Sequence, residues 1–143
     1  MLRNTLRLAV LTFFIGVLTE PARADPGVNM IVEGVRNTNG KIVVLVFDNA
    51  AAFESLNYRN AVDIAEINAD PGSVSYQFDQ LTKGPYAIFV FHDENGDDDL
   101  NIRDGRLLEG VGATGTSNRD DEPNFAQASV APGSVTIRLH YDQ

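Results

Sequence analysis

Residues 91–101, FHDENGDDDLN, place carboxylate and amide side chains at alternating positions, a spacing that suits a hard cation. Calcium takes about six to eight oxygen ligands, and a curling loop can supply them from every second residue. When the loop is counted from Asp93, oxygen-bearing side chains fall at the first, third, fifth, ninth and twelfth positions. These candidate ligands are Asp93, Asn95, Asp97, Asn101 and Asp104. The segment therefore predicts a calcium loop over residues 93–104.

Two positions depart from the usual calcium pattern. The sixth position, where Gly normally makes the sharp turn, is Asp98, and the twelfth, normally a bidentate Glu, is the shorter Asp104. A solvated acidic turn is the alternative, because Asn and Asp side chains can bond nearby backbone N–H groups without a metal. Magnesium is a second candidate ion. Leu100, at the eighth position, is predicted to pack inward.

Catalysis is the less favoured interpretation of the remaining polar residues. His92 adjoins the loop, and a histidine at a strand end is most often a hydrogen-bonded structural residue. A zinc site would need more nitrogen or sulfur ligands than this chain gathers, and the chain has no cysteine. The alternative is a small periplasmic hydrolase or ligand-processing enzyme that uses His92 with Glu109 and Ser117. No Gly-x-Ser-x-Gly elbow surrounds that serine.

The N-terminal segment has the three parts of a secretory signal peptide. Arg3 and Arg7 precede an apolar run over residues 8–18, and Ala22-Arg23-Ala24 is a small-residue cleavage motif. The run is shorter than the roughly 20 apolar residues that span a bilayer. We therefore predict a signal peptide over residues 1–24, a domain over 25–143, and a periplasmic or secreted location with no membrane span after cleavage.

The charge of the chain restricts its partners. The 143 residues include 11 basic and 20 acidic side chains. Without the predicted signal peptide, which holds three arginines and one glutamate, 8 basic and 19 acidic residues remain, a net charge of −11. Such a surface repels phosphate backbones and anionic headgroups, so we do not expect nucleic acid or membrane surfaces as partners.

Short apolar segments separated by turn residues dominate the rest of the chain. Strands are predicted at 28–35 and 41–48, paired across Asn39-Gly40, and at 73–81, 86–93, 125–130 and 134–141. A helical turn capped by Asn49 and an edge strand over 64–68 lie between them. Residues 103–123 form a long connection, which in compact domains is often functional. The pattern predicts an all-β protein: a single antiparallel β-sandwich, immunoglobulin- or transthyretin-like, of about seven strands with a long acidic loop.

The same segments carry a family resemblance. The matching stretches include VLVFDNAAAF (44–53), GPYAIFVFHDENGD (84–97), Glu109-Gly110 and Pro123-Asn124-Phe125. In these the chain resembles domain-of-unknown-function 2141, a family of exported bacterial one-domain β-sandwiches. Members typically have Gly, Lys and Asp where this chain has Asp98, Asp99 and Asn101, so the loop here is more acidic. The resemblance implies the fold and export, and it implies no activity.

These observations favour an exported, non-enzymatic binding or envelope-associated module, with a structural calcium ion in the 93–104 loop. The ion would fix the long connection as a surface for a protein or glycan of the cell envelope. An edge strand over 64–68 that binds an extended peptide is a variant of this hypothesis. A purely structural envelope module is a further alternative.

Overall fold

The computed structural model describes residues 27–142, so the predicted signal peptide and its cleavage site lie outside the described residues. The elements in chain order are β1 (Val28–Val35), β2 (Lys41–Phe47), α1 (Ala50–Glu54), a 3-10 helix (Tyr58–Asn60), β3 (Asp63–Asn68), β4 (Gly72–Phe78), β5 (Ala87–Asp93), β6 (Ile102–Arg103), β7 (Arg106–Leu107), β8 (Gly110–Ala113), α2 (Phe125–Ala128) and β9 (Gly133–Arg138). None of the helices in this range has the length and apolar character to cross a membrane.

Seven of the strands form two sheets, with the orders β4–β1–β9 and β3–β2–β5–β8. The prediction of an all-β sandwich of about seven strands is therefore confirmed. Neighbouring strands are antiparallel except β1 and β9, which run parallel. The predicted edge strand is also confirmed, because β3 ends the four-stranded sheet.

The four-stranded sheet is apolar on both faces because it packs against two layers. Even-numbered residues of β2 and β5, such as Val44 and Val90, face the core shared with the other sheet. Odd-numbered residues, such as Leu45 and Phe91, belong to a second cluster with Ala52 of α1, and this cluster also includes Ala128 of α2. The acidic loop and the long connection cover the same outer face, since Leu100 and Leu107 respectively pack against this cluster. The inward packing predicted for Leu100 is confirmed.

The predicted hairpin between the first two strands is wrong. β1 pairs with β4 and β9, whereas β2 pairs with β3 and β5, so the chain crosses from one sheet to the other. Gly40 has a φ of 63°, as a turn glycine would, but it also meets a second demand. A Cβ at Gly40 would lie 1.8 Å from the carbonyl oxygen of Asp93. The glycine permits this close approach to the end of β5.

The strand predicted over 125–130 is also wrong, because Phe125–Ala128 forms α2. Asn124 and Gln127 form a capping box, in which each side chain accepts a hydrogen bond from the backbone N–H of the other residue. These two bonds favour a helical start over an extended strand. The cap predicted at Asn49 is confirmed, since its side chain accepts from the N–H of Ala52 at 2.9 Å.

Candidate metal centre

Strand register brings together two acidic residues that are 16 positions apart in the sequence. Asp93 ends β5, and Glu109 immediately precedes β8. These strands pair antiparallel with His92 opposite Gly110, so the next pair outward is Asp93 and Glu109. Both side chains are buried, with exposed fractions of 0% and 4%.

The loop after β5 curls around the carboxylate of Asp93. The backbone N–H groups of Gly96 and Asp97 donate to its Oδ1 at 2.8 and 3.2 Å, and that of Asp98 donates to its Oδ2 at 3.0 Å. Asp98 adopts the left-handed conformation, with a φ of 64°, at the position where calcium loops normally have Gly. The backbone therefore makes the sharp turn although Asp98 replaces the usual Gly.

Three carboxylates converge at the turn formed by residues 93–98, which we call the acidic curl. Asp93, Asp97 and Glu109 each offer an oxygen atom, and these atoms lie within 4.8 Å of one another. Oε2 of Glu109 accepts the N–H of Asn101 at 3.2 Å, whereas its Oε1 is buried without a hydrogen-bond partner among residues 27–142. This group could hold a metal ion.

The pKa values reflect the crowding of negative charge. Burial raises the pKa of Glu109 to about 7, and the nearby charges of Asp93, Asp97 and Glu94 add to the rise against the opposing N–H of Asn101. The pKa of Asp97 is lowered, first by the Asn101 amide and then by the N–H of Asp99 and the Asn95 amide. Asp97 is therefore ionised at neutral pH, while Glu109 is divided between its protonated and ionised forms.

Two amides surround Asp97 in this arrangement. The Nδ2 groups of Asn95 and Asn101 donate to its Oδ2 at 2.8 and 3.0 Å, and Asn95 also donates to Oδ1 of Asn101 at 2.9 Å. Four of the five sequence-predicted ligands thus lie in one cluster. Asp104 does not join it, because it lies in the turn between β6 and β7 with a φ of 52°.

Sequence reasoning did not identify Glu109 as a ligand. The sequence places Glu109 only in the enzymatic alternative, with His92 and Ser117. The sequence offered one signal for its position. Glu109 directly precedes the Gly110–Ala113 segment, and the small residues of that segment suit a strand that packs closely against neighbouring groups. A Cβ at Gly110 would lie 2.2 Å from the ring of Tyr141.

Ion pairs attach the curl to the neighbouring strands. Glu94 pairs with Arg36 and accepts the Asn37 amide at 2.5 Å, and these contacts lower its pKa, with Arg36 as the first cause. Lys41 pairs with Asp98 and, at 2.9 Å, with Glu66. The loop is therefore held at its outer side by cations, while its inner carboxylates have none among the described residues.

His92 is fully buried and structurally engaged. Its Nε2 lies 2.7 Å from the carbonyl oxygen of Asn39 and must donate to it, so in the neutral ring Nδ1 accepts the hydroxyl of Tyr141 at 2.8 Å. Ser117 is exposed, and its backbone N–H donates to Asp121 at 2.6 Å. The geometry does not assemble His92 and Ser117 into a nucleophile and base.

Comparison with known proteins gave one family match. Residues 30–138 match the family described as "Uncharacterized protein conserved in bacteria (DUF2141)". The match covers the sandwich from β1 to β9 and includes the whole candidate centre. No curated protein and no solved structure matched the chain.

Proposed function

The chain belongs to the bacterial family DUF2141, and we propose that it is an exported, non-enzymatic module that binds one calcium ion at Asp93, Asp97 and Glu109. The observation that carries this proposal is the buried Oε1 of Glu109, which has no hydrogen-bond partner among the described residues. A buried carboxylate oxygen without a hydrogen-bond partner is costly, and two more carboxylates beside it add repulsion. A bound cation relieves both.

The ligand chemistry supports calcium. All candidate ligands are oxygen atoms, which hard cations prefer, whereas zinc and other transition metals favour nitrogen or sulfur. Calcium accepts about six to eight oxygens in a flexible arrangement, while magnesium demands a near-ideal octahedron. Rotation of the Asn95 and Asn101 amides exchanges their nitrogen and oxygen atoms, so each can replace its bond to Asp97 with an oxygen directed at the ion.

The ion would bind the long connection to the sandwich. β6 and β7 pair antiparallel as a hairpin, Asn101 and Glu109 lie at its two ends, and the backbone N–H of Asn101 donates to Glu109. Calcium held by Asp93, Asp97 and Glu109 would fix both ends of the hairpin to the end of β5. In this proposal the fixed hairpin is the surface that meets a protein or glycan of the cell envelope.

Calcium titration calorimetry on chelator-treated protein tests the site. We expect one saturable site in the native protein and its loss in Glu109→Gln, which keeps the shape of the side chain and removes its charge. Asp104→Asn is the matched control, because this carboxylate belongs to the sequence-predicted ligand set but lies outside the cluster. Loss of binding in Asp104→Asn with retention in Glu109→Gln would contradict the proposed centre. Absence of any calcium-dependent heat or thermal shift would overturn the function.

A further inference from the structure

A cavity lies against the outer face of the four-stranded sheet, beside the β6–β7 hairpin. Its volume is about 370 Å³, within the range of about 300–1,000 Å³ that is typical of small-molecule sites. The cavity wall is mainly apolar and aromatic, and its principal members are Phe53, Phe89, Leu100, Ile102, Leu107 and Val111. Small side chains at Val111 and Ala113 leave room above the sheet.

The polar part of the lining is acidic. Glu54, Asp121 and Glu122 line the cavity together with Arg119, the one cationic residue that residues 27–142 contribute to the lining. Asp121 has a lowered pKa, first because the N–H of Ser117 donates to it and then because the N–H of Asn118 does. The lining therefore carries negative charge at neutral pH.

Arg119 is not available to an anionic ligand. Its Nη1 donates to the carbonyl oxygens of Glu109 and His140 at 3.2 and 2.8 Å, and its Nη2 donates to that of Leu107 at 2.5 Å. Its Nε pairs with Asp142 at 2.7 Å. All three guanidinium nitrogens of Arg119 are therefore engaged by protein oxygen atoms. The carboxylates of the lining then determine which ligand charge the cavity prefers.

We propose that this cavity binds a small molecule with an apolar, preferably aromatic, body and a protonated amine. The body would lie over Phe89 and Val111, and the ammonium group would face Glu54 and Glu122. Charge complementarity selects this occupant, because the net charge of −11 expected for residues 25–143 attracts cations and repels anionic amphiphiles. This site is separate from the proposed calcium centre, which uses none of the cavity-lining side chains.

Two probes with the same body test the proposal: phenylbutylamine and phenylbutyrate. Each is titrated into isotope-labelled protein while the backbone amide NMR shifts are recorded. We expect saturable shifts at Phe89, Leu107 and Val111 with the amine, at a dissociation constant on the order of 1 mM, and at least about tenfold weaker binding of the acid. Equal affinity for the two probes would overturn the charge assignment. Absence of saturable shifts, or shifts confined to other residues, would overturn the site.

Paired variants distinguish the cavity from the rest of the surface. Ile102→Ser and Glu122→Gln should each weaken amine binding several-fold, whereas Ile31→Ser and Glu33→Gln, the same changes on β1, should not. Ile102 and Ile31 are 62% and 40% exposed, so neither change removes a core side chain. Equal effects of the cavity variants and their controls would contradict the proposal.

Titrations with calcium and with chelator separate the two sites, since amine binding without any calcium response would overturn only the calcium centre.

Discussion

The carboxyl group of Glu109 makes the stability of the ion-free protein depend on pH between about 4.5 and 7. Its pKa is raised from 4.5 to about 7, chiefly by burial. The native state therefore binds this proton more tightly than the unfolded chain, so the stabilisation from this group is complete below about pH 4.5 and is lost as the pH rises through about 7. Thermal melts in chelator should show a melting temperature that falls over this window. Glu109→Gln should flatten the fall, and an unchanged fall would assign it to other groups.

Calcium reverses the sign of this pH dependence. The ion requires the ionised carboxylate of Glu109, so proton and calcium compete for the same oxygen atoms. With a pKa of about 7, the calcium affinity should be roughly 30-fold weaker at about pH 5.5 than at about pH 8. Calorimetric titrations at the two pH values measure this ratio. Asp104→Asn should keep the ratio, and an affinity that does not change with pH would remove Glu109 from the ligand set.

Asp98 offers a test of backbone strain in the loop. Its φ of 64° lies in the left-handed region, which costs an ordinary L-residue roughly 1–2 kcal/mol and costs Gly almost nothing. Its side chain is exposed and pairs with Lys41, a contact of small value. We therefore expect Asp98→Gly to retain or raise stability and calcium affinity, and Asp98→Ala to lower stability by about 1 kcal/mol. Chemical denaturation measures both, and Ala equal to Gly would argue against this conformation.

Among the elements, the hairpin of β6 and β7 depends on Arg119. This side chain donates to the carbonyl oxygens of Leu107, Glu109 and His140, so it joins the connection to the C-terminal segment. Arg119→Met keeps the apolar stem and removes the guanidinium donor from all three carbonyl oxygens, of which that of His140 keeps the N–H of Val111. The free energy of unfolding should fall by about 2 kcal/mol, against less than about 0.5 kcal/mol for the exposed Arg103→Met control. Equal denaturation midpoints for the two variants would contradict the role of Arg119.

The sequence predicted the individual strands better than it predicted which strands pair with each other. The central position of β5 and the edge position of β3 follow from local apolar patterns, and Asp93 and Asp97 follow from local spacing. The partners of β1 do not follow from local patterns. Asn39-Gly40 favours a hairpin, but β1 pairs with β4 and β9, and β2 with β3 and β5, through contacts between segments that are distant in the sequence. Glu109 was missed for the same reason. Its place beside Asp93 depends on the register of β5 with β8.

At the scale of the whole molecule, excess negative charge gives calcium two ways to stabilise the fold. General screening weakens repulsion between exposed carboxylates, and any salt provides it. Binding at one site instead stabilises only the native state, by about 2.7 kcal/mol when free calcium is 100 times the dissociation constant. The two effects differ in ion specificity, concentration range and location in the structure.

Comparison of sodium chloride with calcium separates these effects. Both should raise the melting temperature, but calcium should act at far lower concentration, and only its effect should disappear in Glu109→Gln. Hydrogen exchange should locate the calcium effect: protection should increase more over residues 94–109, at both ends of the hairpin, than in β1 and β4, which gain only the global stabilisation. An increase over residues 94–109 no larger than that in β1 and β4, and reproduced by sodium chloride, would indicate screening alone. In that case the acidic curl would be a solvated turn, and the hairpin would be held by Arg119 without an ion.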